Sequence, residues 1–529
     1  MDRNELIADL PAPVRALLQQ CDRALRAGDR AAALASARQA AKAAPDHPEV
    51  LRQLAAALTA HGPSPEALAA IEQALEFRPD DAAMLTTHAL VLQANARPNE
   101  AIESFRLASE LAPESANNAY NLGRALYHLG DDDESLTALD RALALDPEHR
   151  NARATAADVL NRLGRTDAAV AHLSYLIERN PRDVRSLTAL TTLRPAAIDV
   201  GMIQTMTTLF DSQTANLDDR IRLGFALGKL HATRQHYADS YAAYSRANAL
   251  VRARVPWNVA GHARAINELL VAFAKPSAAQ DRALGNEMIF IVSLPRSGST
   301  LTEQILAAHP QVDAGDERND VFNVIEDESR RRKQALAQWA PLATAQDWQR
   351  LGEGYLARSR HWRAHGTHAT DKLPGNWLWL GALAAMLPGA HVIDCRRDLL
   401  ETAWSCYCHL FRIGTQDFSY DFDSIAAYAR DYTRALTHWN GLYPQRIRTQ
   451  SYEALIADPE TQTRQLLEWC GLEFDPACLR FWEAQRSVRT ASAAQVREPI
   501  RRDTARADRY GALLDPLRVA LGLPLFPAE

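Results

Sequence analysis

Residues 289–300 read IFIVSLPRSGST. A run of β-branched and aromatic residues stops at Pro295, and the turn Arg296, Ser297, Gly298, Ser299, Thr300 leads into the helical pattern LTEQILAAH. Amides at a helix N-terminus lack intrahelical partners and carry the positive end of the peptide dipoles, so such a strand, turn and helix make a nest for an anion. Gly298 lets the backbone approach the anion, Ser299 and Thr300 offer hydroxyls, and Arg296 offers a fork of charged donors. The nucleoside-triphosphate loop GxxxxGK[ST] does not fit, because no lysine precedes Ser299 and Arg296 stands before the glycine. A kinase or ATPase would lose its main hold on the γ-phosphate. The bland alternative is a plain structural turn.

A second stretch weakens that alternative. Residues 390–410, AHVIDCRRDLLETAWSCYCHL, read as a strand, two arginines and a helix, with Ser405 eight residues after Arg397. Arg396 and Arg397 alternate in direction at the strand end, so one of them reaches a ligand. Two separated anion sites suit a nucleotide phosphorylated at two places.

Together, LPRSGST and RRDLLETAWS resemble the sulfotransferases, whose donor is 3'-phosphoadenosine-5'-phosphosulfate (PAPS) and whose product is adenosine 3',5'-bisphosphate (PAP). The resemblance runs over about 287–525. It implies that the first motif holds the 5'-phosphosulfate and that Arg397 and Ser405 hold the 3'-phosphate. Leu399 and Leu400 stand where many members carry a proline, a departure that bears on the shape of the loop. The stretch AAHPQVDAGDERND is closer to the tyrosylprotein sulfotransferase branch, which implies Glu317 as the catalytic base with Asp316 as its acidic neighbour. That branch's arginine two places beyond the glutamate is replaced by Asn319, with Arg318 beside it, so contacts to the acceptor do not carry over. The resemblance also implies Lys372, in THATDKLPGNWLWLGAL, as a cation on the leaving group, and Ser492 as a donor-side serine. Arg501, Arg502 or Arg506 would close over the 3'-phosphate, and their spacing leaves the choice open. Tyr452 and Glu453 are expected to tie a strand to a helix.

The chemistry can be argued independently. A hydroxyl attacking sulfur must shed its proton, and a positioned carboxylate that accepts it contributes about 10²- to 10⁴-fold. A cation on the bridging oxygen stabilises the transition state more than the ground state, a role for Lys372 with Arg296. No metal is required, since arginine, lysine and amides supply the positive field. Against this stand a solvated charge run at 316–320, a surface lysine before Pro374 and a basic surface loop near 501–506.

The elements that carry these residues follow a long repeat. Prolines stand at 11, 45, 79, 113, 147 and 181, always 34 residues apart. Gly28, Gly62, Ala96, Gly130 and Gly164 keep the same phase, as do Ala33, Ala67, Ala101, Ser135 and Ala169. The small residues are expected to let two antiparallel helices approach, and the prolines to start the next helix without wasting an amide. The pattern resembles the tetratricopeptide repeat, clearest over 11–181, with a looser helical pair at 214–250. The expected fold is multidomain: an all-α tetratricopeptide solenoid at 10–250, a helical connector at 251–286, and an α/β sulfotransferase domain at 287–529. That domain has a mostly parallel sheet in the P-loop nucleotide kinase-like style, with the ligand across the carboxyl ends of its strands. Such a solenoid grips an extended peptide or protein, or else serves dimerisation or support.

A composition of 47% apolar and 23% charged residues excludes a largely disordered chain, and a net charge of -6 gives no general attraction for nucleic acid or anionic membrane. Six cysteines form no CxxC pair, and Cys406, Cys408 and His409 lack a second ligand cluster. No charged-then-apolar leader opens MDRNELIADL and no run of 18 apolar residues occurs, so cytoplasm is the expected location. The leading reading is sulfuryl transfer to a hydroxyl, with protein tyrosine, saccharide, lipid or metabolite acceptors left open. An atypical nucleotide-dependent kinase and a non-catalytic repeat scaffold with a nucleotide-binding domain are the alternatives. The aromatic residues Trp377, Trp379, Trp404, Phe411, Phe418, Tyr420 and Tyr428 are expected mainly in the core.

Overall fold

A computed structural model describes residues 6–277, 281–363, 366–483, 499–500 and 505–527. The chain divides into two compact units, Met1–Leu193 and Arg194–Glu529.

The first unit is a solenoid of antiparallel helix pairs. One repeat is α1 (Ala116–Leu129) followed by α2 (Asp132–Leu145). The Ser115 side chain accepts from the Asn118 amide and Asp131 from the Glu134 amide, so each helix starts on a side-chain cap. The small residues divide their work. Ala33, Ala67, Ala101, Ser135 and Ala169 are fully buried and let the helices approach. At Gly123 a Cβ would lie 2.7 Å from Leu139 Cγ, and Ser135 Oγ donates to Gly123 O at 2.7 Å. Gly28, Gly62, Ala96, Gly130 and Gly164 serve a different purpose, since all take positive φ, from 58° to 124°, where the first helix of each pair ends. A Cβ at Gly28 or Gly62 would meet nothing within 4 Å, so backbone conformation and not close approach selects glycine there.

The prolines also differ from expectation. Pro11 does precede a helix, but Pro45, Pro79, Pro113, Pro147 and Pro181 follow the ends of second helices and stand in the connections between pairs. The residues before them, Ala44, Arg78, Ala112, Asp146 and Asn180, have φ between −143° and −130° and ψ between 71° and 93°. A proline ring clashes with a helical residue before it, so the 34-residue beat marks helix termination.

The second unit opens with helices that include the hairpin α3 (Leu217–Thr233) and α4 (Tyr237–Arg254). There follow β1 (Met288–Ser293), α5 (Ser299–Ala307), β2 (Val312–Ala314), β3 (His368–Lys372), β4 (His391–Arg396), α6 (Leu399–Tyr407), α7 (Phe422–Leu442), β5 (Ile447–Ser451) and α8 (Tyr452–Ala457). The five strands form one parallel sheet in the order β2-β3-β1-β4-β5, with Ile291 opposite Lys372 and Ser293 opposite Cys395. β1 is buried along its whole length, as a central strand covered on both faces must be. Met288, Phe290 and Val292 face a core shared with α3, α4 and α7, while Ile289 and Ile291 face a smaller core with Ile305, Leu455 and Leu466. The strand order runs outward to opposite sides of β1, which places a crevice at the carboxyl ends of β1, β3 and β4.

The hairpin is part of this unit. Ser240 Oγ and Tyr510 OH lie 2.8 Å apart, and Asn248 Nδ2 donates to Tyr407 O at 3.0 Å. Phe225, Tyr244, Ala247 and Val251 join the core that holds Trp404, Tyr407 and Tyr428.

Candidate functional site

A cleft of about 1590 Å³ opens at the carboxyl edge of the sheet. The turn after β1 forms one wall, with Arg296, Gly298, Ser299 and Thr300 lining it; Ser297 is buried and does not. Gly298, at φ 91°, caps α5. A Cβ there would lie 2.6 Å from Tyr452 Cδ2, so glycine is required both by the left-handed turn and by the tyrosine ring packed on it. Arg296 is left-handed too, at φ 71°, although it has a side chain. That conformation costs about 1–3 kcal/mol, and the surrounding fold holds it. Arg296 Nε donates to Ser405 Oγ at 3.1 Å, which joins the first motif to the second.

At the end of β4 the two arginines separate, as alternation requires. Arg396 Nε turns back to Asp394 Oδ2 at 2.6 Å, whereas Arg397 lines the cleft, 4.9 Å over the Tyr452 ring and 3.3 Å from Glu401 Oε2. Asp398 caps α6 by accepting the Glu401 amide, and its own amide donates to Glu453 Oε1 at 2.8 Å. Glu453 therefore holds the turn that leads into α6, and Leu399 and Leu400 are the first two residues of that helix. Glu401 Oε1 in turn accepts the amides of Arg506 at 2.7 Å and Ala507 at 2.6 Å, which brings Arg506 to the cleft. Burial lowers the pKa of Arg296, and the nearby charges of Arg397 and Arg506 add to the effect. Cations crowded in this way favour an anion among them.

Glu317 follows β2 and Lys372 ends β3, so the sheet sets them side by side. Lys372 Nζ lies 2.7 Å from Glu317 Oε1; the lysine side chain is fully buried and the glutamate side chain is 43% exposed. Glu317 lines the cleft and Lys372 lies beneath it. Asp316, at φ 57°, points its amide at Glu303 Oε1 at 3.1 Å, and its carbonyl accepts the Lys372 amide at 3.1 Å. Glu303, buried on α5, thus ties the phosphate-loop helix to the loop that presents Glu317.

Ser492, Arg501 and Arg502 lie outside the described residues. The structure brings together Arg296, Ser299, Thr300, Arg397, Ser405, Arg506 and Glu317 on one cleft. Trp377, Phe418, Tyr420 and Tyr428 are buried, while Trp379 and Phe411 line the cleft. Residues with no signal in the sequence also line it, among them Lys229, Tyr244, Arg412, Arg509 and Tyr510. Only the packing of distant segments places them there. Among the described residues, His231, His236 and Asp239 have ligand atoms within 4.8 Å of one another, and none of the three lines the cleft. No helix among the described residues is long and apolar enough to cross a membrane.

Comparison with known proteins adds family context. A sulfotransferase family model matches residues 288–476, and tetratricopeptide repeat models match 18–82 and 116–149. A curated protein of Aquifex aeolicus (strain VF5), described as uncharacterized, is 30% identical over 328 residues, covering 60% of this chain. The chain spans 43% of that relative's length. Among solved structures, a tetratricopeptide repeat protein from Parabacteroides merdae shares 18% identity at a TM-score of 0.34, covering 45% of this chain and 94% of its own. A thermophilic repeat protein of Thermus thermophilus shares 23% identity at a TM-score of 0.31, covering 34% of this chain and 98% of its own. The chain carries tetratricopeptide repeats followed by a domain of the sulfotransferase family.

Proposed function

We propose that the second unit transfers a sulfuryl group from PAPS to a hydroxyl acceptor. The observation that carries this reading is the convergence of two arginine-bearing strand ends, linked by the 3.1 Å bond from Arg296 to Ser405, on a cleft that is also lined by Glu317, itself held by the buried Lys372. The N-terminus of α5, with Ser299 and Thr300, suits the 5'-phosphosulfate; Arg397, Ser405 and Arg506 suit the 3'-phosphate. The acceptor oxygen attacks sulfur, the bond from sulfur to the bridging phosphate oxygen breaks, and the acceptor proton passes to the Glu317 carboxylate. Lys372 and Arg296 stabilise the charge that develops on the departing phosphate of PAP. Among hydroxyl acceptors, a protein tyrosine is favoured by the resemblance around Asp316 and Glu317 and by a repeat unit of the kind that binds peptides and proteins.

Titration of PAP, with ATP and magnesium as control, tests this. Tight binding of PAP to the wild type, lost in Arg296→Ala and much weaker for ATP, is expected. Absence of PAP binding would sink the donor assignment, and preference for ATP would move the reading to phosphoryl transfer.

A further inference from the structure

The turn between α3 and α4 reads HATRQHYAD over 231–239. His231 stands in the last turn of α3, His236 is the N-cap of α4, and Asp239 lies in the first turn of α4. Gln235, left-handed at φ 64°, reverses the chain, and the amides of Arg234 and His236 both donate to His231 O, at 3.1 and 2.9 Å. The turn therefore folds the two histidines toward each other, with ring centroids 6.2 Å apart. One ligand atom from each of His231, His236 and Asp239 lies within 4.8 Å of the other two. Three atoms so spaced share a point at most about 2.8 Å from each, against ~2.0–2.2 Å for zinc bonds to imidazole nitrogen or carboxylate oxygen. Small side-chain rotations thus suffice to bring all three onto one ion.

The chemistry of the three residues favours ligands over a solvated turn. His231 Nδ1 is buried and has no hydrogen-bond partner among the described residues, an orphan of the kind that a water or an ion explains. Burial lowers the pKa of His231; Asp239 opposes this, and His236 and Arg234 add to it, so the ring is neutral at pH 7 and keeps a lone pair for a metal. The Arg234 guanidinium is itself fixed, donating to Ile198 O at 2.6 Å. An acid three residues after an N-cap commonly accepts the N-cap amide, but here that amide donates to His231 O. The His236 ring makes no capping bond either. The backbone beneath is braced, because Tyr237 packs edge-on to Tyr510 at 5.0 Å between centroids and Ser240 Oγ lies 2.8 Å from Tyr510 OH.

We propose that His231, His236 and Asp239 bind one divalent transition-metal ion of the zinc kind, which clips the end of α3 to the start of α4. Two imidazoles and one carboxylate suit zinc, nickel or copper and select against magnesium and calcium, which take oxygen ligands. None of the three residues lines the cleft, so the ion takes no part in the proposed transfer, and the site stands or falls independently of that reading. Ala232, Thr233, Gln235 and Tyr237, interleaved with the ligands, do line the cleft. The clip therefore steadies a turn that lies outside residues 288–476, the sulfotransferase family match, yet builds part of the cleft wall.

The test titrates Zn²⁺ into chelator-stripped, untagged full-length protein, with Mg²⁺ as control, for wild type, His236→Gln and Asp239→Asn. Both substituted residues are exposed, so the variants are expected to fold. Wild type should bind Zn²⁺ in the presence of excess Mg²⁺. Each variant should lose roughly 10- to 100-fold in affinity or more, since losing a residue that merely supports a ligand already costs that much. The unfolding midpoint of wild type should rise with Zn²⁺ concentration, and that of the variants should rise far less. Co²⁺ in place of zinc should show ligand-field absorption without a thiolate charge-transfer band, which separates this site from the cysteines. No binding to wild type, equal affinity in wild type and both variants, or a thiolate band would each overturn the assignment.

Discussion

In the repeat unit, left-handed backbone falls at Gly28, Gly62, Gly130 and Gly164, with Ala96 in the same phase; in the second unit two of the residues with side chains that adopt it are Arg296, which lines the cleft, and Asp316, next to Glu317. Both units need a sharp change of chain direction after a regular element. In the solenoid the turn is the whole requirement, so a residue without a side chain meets it at no steric cost. At the cleft the same backbone must also aim a guanidinium at Ser405 and present Glu317 beside Lys372, so the strain is retained for the sake of the side chain and its neighbour. The cores differ in the same sense. Alanines, valines and leucines dominate the buried positions of the solenoid, whereas the carboxyl ends of β3 and β4 bury Asp371, Lys372 and Asp394 completely. Strain and buried charge have been placed where chemistry is proposed.

The strongest way to break this contrast is at Glu317. Glu317→Gln keeps the shape and loses the proton acceptor, so kcat for sulfuryl transfer should fall about 10²- to 10⁴-fold while PAP binding holds. Normal turnover in this variant would reduce the charged loop to a solvated turn. Next is Arg296→Gly, which imposes the solenoid's solution on the cleft. The Kd for PAP should rise roughly 10- to 100-fold with loss of the charged donors. The variant should nonetheless gain about 1 kcal/mol of stability in denaturant titration as the left-handed strain is released. A variant that loses both binding and stability would show that Arg296 is structural.

Asp371 tests the buried charge. Burial raises its pKa from 3.8 to about 7, opposed by the hydroxyl of Tyr355, which donates to it at 2.8 Å; Asp320 and Glu303 raise it further and Arg318 lowers it. The folded state therefore holds this proton after the unfolded chain has released it. Its contribution to stability is complete below about 4 and is lost as pH rises toward about 7, by a few kcal/mol at most. Asp371→Asn should flatten that part of the stability profile, measured by unfolding at pH 4 to 8. The smallest effect is in the solenoid: Ala96→Gly should stabilise by roughly 0.5–1 kcal/mol, because alanine there holds φ 58° without a functional return. No gain would mean that the helix end at Ala96 is held by its neighbours.

Much of this architecture was legible before folding was considered. The 34-residue beat, the strand ending in PRSGST and the second strand ending in two arginines all rest on interactions within a few residues. Their reasons were less legible. The inter-repeat prolines end helices because the steric effect acts backward on the preceding residue, and the phased glycines serve φ because the space around Gly28 and Gly62 is open. At the cleft, the choice between Arg396 and Arg397 followed from alternation, but which of the two faced in was settled by Asp394, which holds Arg396.

By itself the sequence determined where helices stop, which strand ends could hold an anion and which carboxylate and lysine to consider. Those properties follow from backbone sterics, unpaired amides and residue chemistry, all local. Tertiary structure alone decided that Lys372 meets Glu317 across 55 residues, that Arg296 reaches Ser405 across 109, and that Tyr510 closes on Ser240 across 270. Such meetings depend on the order of parallel strands and on how aromatic side chains fill one shared core, and no local spacing encodes either.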